Sequence, residues 1–174
     1  LIEAGNVLKD KYPEIELAII GKGEEEEGLK AMVERLDLKA HVRFLGAIYE
    51  GKALSIEMLK SEVYVLAGMG GLSINEAMAH GLPVICSVAD GTEKHLVFEG
   101  QNGYYFKDNN LDSLVKVIDR MFQSDRIAMG LKSMDIIKNS INIDKVSGNY
   151  IRALKSKKRK PSARPSWPKI GRAH

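Results

Sequence analysis

Residues 63–87 read VYVLAGMGGLSINEAMAHGLPVICS, and the reading of this stretch decides the fold. An apolar run, Val63 to Ala67, leads into the glycine-rich turn Gly68-Met69-Gly70-Gly71. A short amphipathic stretch follows and carries one carboxylate, Glu76. Gly81-Leu82-Pro83 stops it, and Pro83 to Cys86 opens a second apolar run. That order predicts strand, turn, helix, turn, strand. In an open α/β sheet such a turn, at the amino end of a helix, is a place to hold a phosphate.

The same alternation extends in both directions. Upstream, Leu1, Ile2, Ala4, Val7 and Leu8 recur at helical spacing, Glu16 to Ile20 is an apolar strand closed by Gly21-Lys22-Gly23, and Glu24 to Leu36 is a helix. Four consecutive Glu at its first turn suit the helix dipole. Val42 to Leu45 is a strand stopped by Gly46, and Lys52 to Ser61 a helix. Downstream come the strand Val84 to Ser87, the turn Asp90-Gly91, a short helix Thr92 to Val97, the turn Asn102-Gly103, the strand Tyr104 to Phe106, and helices from Leu111 to Phe122 and Asp125 to Asn139. Five short strands alternating with helices predict an α/β fold with a doubly wound parallel sheet. None of the strands alternates cleanly between polar and apolar, as expected when both sheet faces are covered. A doubly wound domain starts on a central strand, so a chain that opens in a helix is expected to lack that first strand and to leave an unpaired edge.

Composition narrows the classes. With 174 residues, 44% hydrophobic and 28% charged, the chain suits one globular domain and excludes fibrous or fully disordered classes. No apolar run reaches the length of a membrane span. The one cysteine, Cys86, leaves neither an intramolecular disulfide nor a metal-ligand spacing, and a cytoplasmic location is the default. The net charge of +3 averages two unlike parts: nine Lys or Arg and no acid follow Ile151, leaving 17 basic against 23 acidic residues, about −6, in residues 1–151. A run such as Lys157-Lys158-Arg159-Lys160 suits nucleic acid or an anionic membrane surface, but with Pro and Ser after it a solvated disordered tail is the plainer reading. Residues 170–174, IGRAH, are also what a common sequencing adapter encodes in one frame. The expected organisation is a nucleotide-sugar-binding domain over 1–150 and a basic tail over 151–174, disordered or artefactual, with no nucleic-acid role.

The residues that carry chemistry also carry a resemblance. Leu17-Ala18-Ile19-Ile20-Gly21-Lys22-Gly23, then Val42-Arg43-Phe44-Leu45-Gly46, then Gly71-Leu72-Ser73-Ile74-Asn75-Glu76-Ala77-Met78-Ala79-His80-Gly81-Leu82-Pro83-Val84-Ile85 resemble the C-terminal half of a group 1 (family 4) retaining glycosyltransferase of the GT-B fold. The resemblance covers about residues 1–140. It implies a Rossmann-like domain that binds a nucleotide-sugar donor, UDP- or GDP-sugar, without a cofactor or metal. A separate N-terminal domain would bind the acceptor, and the full-length protein would make peripheral contact with a membrane surface. The implied reaction is transfer of a hexose to an acceptor hydroxyl with retention.

Position by position, Glu76 matches the second glutamate of the family's paired motif, which accepts hydrogen bonds from the ribose hydroxyls. Gly71 and Leu72, with Gly70 and Ser73 beside them, match the helix amino end whose amides face the diphosphate and stabilise its charge as it leaves. Phe44, Leu45 and Gly46 match the strand end near the base, and Gly21 and Gly23 a donor-site loop. Two departures stand out. Gly68 occupies the place of the family's first, sugar-contacting glutamate. The Arg and Lys that neutralise the diphosphate in the family fall upstream of residue 1, so no catalytic residue is identified here and this chain alone is expected to be inactive.

The residues also allow plainer readings. Ser73-x-x-Glu76 has the spacing of a capping box. Gly21-Lys22-Gly23 is also a tight strand-to-helix turn. His80 reads as a C-terminal cap feature, Cys86 as a small buried apolar group, and Thr92 as an N-cap, although 90–93 would border a donor pocket. Tyr104, Tyr105 and Phe106 read as a core edge. With Gly68 in place of a glutamate, the alternatives are a non-catalytic nucleotide-sugar-binding or regulatory module, or a GT-B-like sugar-nucleotide epimerase.

Overall fold

The computed structural model describes residues 1–68, 72–87, 92–140, 147–148 and 150–152. The chain divides into two compact units, Leu1–Asn139 and Ser140–His174. In the second, residues 147–148 and 150–152 are helical.

In the first unit the order is α1 (Ile2–Leu8), β1 (Leu17–Ile20), α2 (Glu26–Arg35), β2 (Val42–Gly46), α3 (Gly51–Lys60), β3 (Tyr64–Leu66), α4 (Leu72–Ala79) and β4 (Val84–Ser87). A 3-10 turn (Thr92–His95), β5 (Gly103–Phe106), α5 (Leu111–Phe122) and α6 (Arg126–Ser140) complete it. Every pairing is parallel. The expected helix at 92–97 is shorter, because the amides of Leu96 and Val97 both turn back to the Glu93 carbonyl.

Among the described residues the strands form two ladders, β1 with β2, and β3-β4-β5. Leu17 stands opposite Val42 and Ile19 opposite Phe44; Val65 opposite Ile85, which stands opposite Tyr104. Among the described residues, β1 pairs only with β2 and β3 only with β4. The backbone alone therefore does not join the ladders, and side chains of α1 pack against both. Ala4 and Leu8 enter a cluster with Ile85, Tyr104, Phe106, Leu114, Ile118 and Met121, while Ile2 packs with Val33, Leu38 and Val42. Each such aliphatic side chain, fully buried, contributes about 1.5–3 kcal/mol.

Coverage of the two ladders differs. β4 is buried at all four positions, whereas β1 alternates, with Leu17 and Ile19 turned toward α2 and Ala18 and Ile20 exposed. A third cluster, Met58, Ala77 and Leu82 with Leu54 and Tyr64, fixes α3 beside α4 and β3. One buried polar side chain, Asn102, is held by its own loop: it is fully buried, its Oδ1 accepts from the Phe98 amide at 2.7 Å, and its Nδ2 donates to the Leu96 carbonyl at 3.0 Å. α5 starts on Asn110, whose side chain accepts from the Ser113 amide at 2.7 Å.

Candidate functional site

Helices that follow parallel strands run back over the ladder, so the amino ends of α3 and α4 lie at the carboxyl ends of β2 and β3. In doubly wound folds this edge receives ligands. Gly21 and Gly46 end β1 and β2 there with φ of +142° and +65°, conformations that glycine adopts without a Cβ penalty. The Gly21 amide donates to the Gly46 carbonyl at 2.8 Å. Gly21 and Gly23 have nothing within 4 Å of where a Cβ would stand, so their backbone faces open space. The Phe44 ring packs against the Ile2–Val33–Leu38–Val42 cluster, and Leu45 is half-buried.

α4 carries the carboxylate. Its first described residue is Leu72, 82% exposed, and Glu76 lies four residues later, half-buried. The capping box is not formed. Ser73 is already helical. Burial holds the nearby Tyr64 phenol above its ordinary range, the Ser73 hydroxyl pulls the other way, and the Glu76 charge adds to the rise. Tyr64 is thus a neighbour of Glu76 that the sequence did not single out, because an aromatic in an apolar strand run reads as core.

At the far end of α4, the amide and Nδ1 of His80 donate to the Glu76 carbonyl at 3.1 and 2.8 Å, and Nε2 lies 2.9 Å from the Ser55 hydroxyl. With Nδ1 assigned as the donor to the Glu76 carbonyl, Nε2 is the nitrogen that faces the Ser55 hydroxyl. His80 is a helix-end clamp between α4 and α3.

Two side-chain atoms near this edge are buried with no hydrogen-bond partner among the described residues, Asn75 Oδ1 and Ser87 Oγ; Ser87 is 1% exposed and ends β4. Gly68 has φ +155° and open space around it. A residue with a Cβ is strained in that conformation. Gly70, Gly71, Asp90 and Gly91 lie outside the described residues, as does the Thr92 side chain. Cys86 is fully buried, and burial, with the charges of Glu93 and Glu99, pushes its thiol up to about 12.

Two clefts open elsewhere. One, of about 510 Å³, includes Gln101, Tyr104, Asp125 and Lys132. The other, of about 670 Å³, includes Met58, Leu59, His80, Leu82, Arg126 and Leu131. The first also includes Ser124 and Met129, and the second Glu62, whose carboxylate pairs with the Arg126 guanidinium at 2.8 Å; Glu76 lines neither.

Fold and edge together define an α/β domain of the nucleotide-binding type, with a helix amino end and a carboxylate at the carboxyl ends of parallel strands. Comparison with known proteins makes the class specific. Residues 1–142 match the family described as Glycosyl transferases group 1, and the chain belongs to that family. A glycosyltransferase of Haemophilus influenzae is 29% identical over 150 residues, which are 84% of this chain and 42% of that protein. The C-terminal domain of a group 1 glycosyl transferase from Francisella tularensis superposes with a TM-score of 0.72 at 22% identity, covering 82% of this chain and 77% of that one. The pneumococcal O-GlcNAc transferase GtfA, solved with UDP and GlcNAc, superposes with a TM-score of 0.76 at 22% identity, covering 88% of this chain and 32% of that one. The fold is that of the C-terminal domain of GT-B glycosyltransferases, and the chain spans less than half the length of curated relatives it matches.

Proposed function

We propose that residues 1–150 bind the donor of a retaining glycosyltransferase, a nucleoside diphosphate hexose with uracil or guanine as base, and that residues 151–174 take no part. Glu76 accepts the two ribose hydroxyls. The amides of Gly70, Gly71, Leu72 and Ser73, at the amino end of α4, receive the diphosphate, where unsatisfied N–H groups and the helix dipole favour an anion. Gly21 and Gly23 let the backbone approach the donor, and Leu45 and Gly46 border the base. The observation that carries this reading is the freedom of Glu76 from a capping role, since Ser73 lies inside α4 and not at its cap. The unpartnered Asn75 Oδ1 and Ser87 Oγ support it, because buried polar atoms are nearly always paired.

In the whole protein, a separate domain supplies the acceptor and the hexose is transferred with its anomeric configuration kept. This chain alone binds the donor and transfers nothing. Calorimetric titration with UDP and GDP tests the binding. Glu76→Ala weakens the nucleotide that binds by about tenfold or more, as expected when charge-assisted hydrogen bonds are lost. An affinity unchanged within about twofold removes Glu76 from the site. A second reading, a binding module that never transfers sugar, draws on Gly68 in the place of a glutamate. Joined to its acceptor domain, a transferring enzyme releases the nucleoside diphosphate only when acceptor is present, and such a module releases none.

A further inference from the structure

We infer that Asn102-Gly103 is a deamidation site sealed by the fold. The folded chain keeps it inert, and a chain that reacts there while unfolded does not return to the native state. It is the one Asn-Gly pair in the sequence. Glycine after asparagine is the arrangement most open to this chemistry, because no Cβ crowds the attack of the following backbone nitrogen on the carboxamide. The Gly103 nitrogen gives its proton to hydroxide and bonds to Asn102 Cγ, the Cγ–Nδ2 bond breaks, and the Nδ2 group takes up a proton and leaves as ammonia. Water then opens the five-membered imide at either carbonyl, which leaves aspartate or a backbone that runs on through the side-chain carboxyl.

The fold holds each group that would have to move. Asn102 and Ser133 are fully buried. Asn102 Oδ1 accepts from the Phe98 amide at 2.7 Å, and Nδ2 donates to the Leu96 carbonyl at 3.0 Å and to the Ser133 hydroxyl of α6 at 3.4 Å. The carboxamide is thus turned back onto its own loop, and reaching the Gly103 nitrogen breaks all three bonds together. The backbone is pinned as well: the Asn102 amide donates to the Phe98 carbonyl at 3.3 Å, the Asn102 carbonyl accepts from the Val84 amide at 3.0 Å, and Gly103 stands opposite Val84 in the β4–β5 ladder.

The same contacts demand this labile pair. A Cβ on Gly103 would stand 2.1 Å from the Val84 carbonyl oxygen and 2.7 Å from Val97 Cγ1, so glycine is required. Position 102 must accept and donate at once, which a carboxamide does and a carboxylate does not. Aspartate there turns a buried charge toward the Leu96 carbonyl. The side-chain-linked product adds a methylene to the backbone where β5 begins and takes Gly103 out of register with Val84. Neither product fits the site that made it.

The test holds the full chain in mildly alkaline buffer, with and without guanidinium, and follows its peptides by mass. Unfolded, the peptide carrying Asn102 gains the mass that exchange of NH2 for OH supplies. Folded, it gains that mass at less than about a tenth of the unfolded rate, because reaction waits on opening of the loop. A folded rate above that fraction, or an unfolded peptide that gains no mass, overturns the seal. After dilution from guanidinium, the modified peptide is scarcer in chains that regain native elution in gel filtration than in those that do not, and equal shares in both overturn the lock. Asn102→Asp, which writes the aspartate product into the chain, lowers the urea midpoint. An unchanged midpoint shows that the site accepts a carboxylate and overturns the lock as well.

Discussion

At the scale of single residues, the site depends on what each side chain is already doing. Glu76 was legible in the sequence as a carboxylate on a short helix, but the S-x-x-E spacing pointed equally to a cap. Only the helical state of Ser73 separates the two. Spacing reports which residues share a turn, not which residue begins it. Tyr64 itself was invisible because its role depends on α4 folding back over β3. Asn102 offers a cleaner test of the buried polar framework. Asn102→Ala leaves the Phe98 amide and the Leu96 carbonyl without their buried partners and is expected to cost about 2–4 kcal/mol. Urea denaturation should show a lower midpoint at unchanged slope. An unchanged midpoint would mean that the 96–103 loop is held by other contacts.

At the scale of elements, close approach sets the sign of a substitution. A Cβ on Gly130 of α6 would stand 1.9 Å from the Gly81 carbonyl oxygen. The gain in helix propensity of about 1 kcal/mol is outweighed, and Gly130→Ala is expected to destabilise by about 1–3 kcal/mol. Gly28 of α2 is the contrast, since a Cβ there comes no nearer than 3.8 Å, to the Glu25 carboxylate. Gly28→Ala should stabilise by about 0.5–1 kcal/mol, and paired thermal melts read both signs. The elements were the most legible level of all: apolar runs of four or five residues alternating with amphipathic ones placed every strand and helix of the first unit. That they pair in parallel was legible too; which strand neighbours which was not, because it depends on residues far apart in sequence.

For the whole molecule, β4 and β5 predict how stability responds to alkali. Burial, first, and the charges of Glu93 and Glu99 raise the Cys86 thiol from its ordinary 9 to about 12. Burial, first, with Cys86, Glu93 and Glu99, raises the Tyr105 phenol to about 12. The folded state then binds more protons than the unfolded state between about pH 9 and 12, so stability is fully present below pH 9 and falls through that window. Denaturant midpoints at pH 8 and pH 10.5 check the direction, and a midpoint that rises with pH would contradict it. Cys86 should likewise resist thiol reagents until the protein unfolds. Among the described residues no helix is long and apolar enough to cross a membrane.

The central claim is that a nucleoside diphosphate lies across the carboxyl ends of the strands, with its ribose on Glu76 and its diphosphate at the amino end of α4. A crystal structure of the chain with UDP tests it most directly. The account predicts both ribose hydroxyls within hydrogen-bond distance of the Glu76 carboxylate, and phosphate oxygens against the amides that open α4. UDP bound instead in the cleft between Leu59, His80 and Leu131, or at the ligand edge with Glu76 turned away from the ribose, would contradict it.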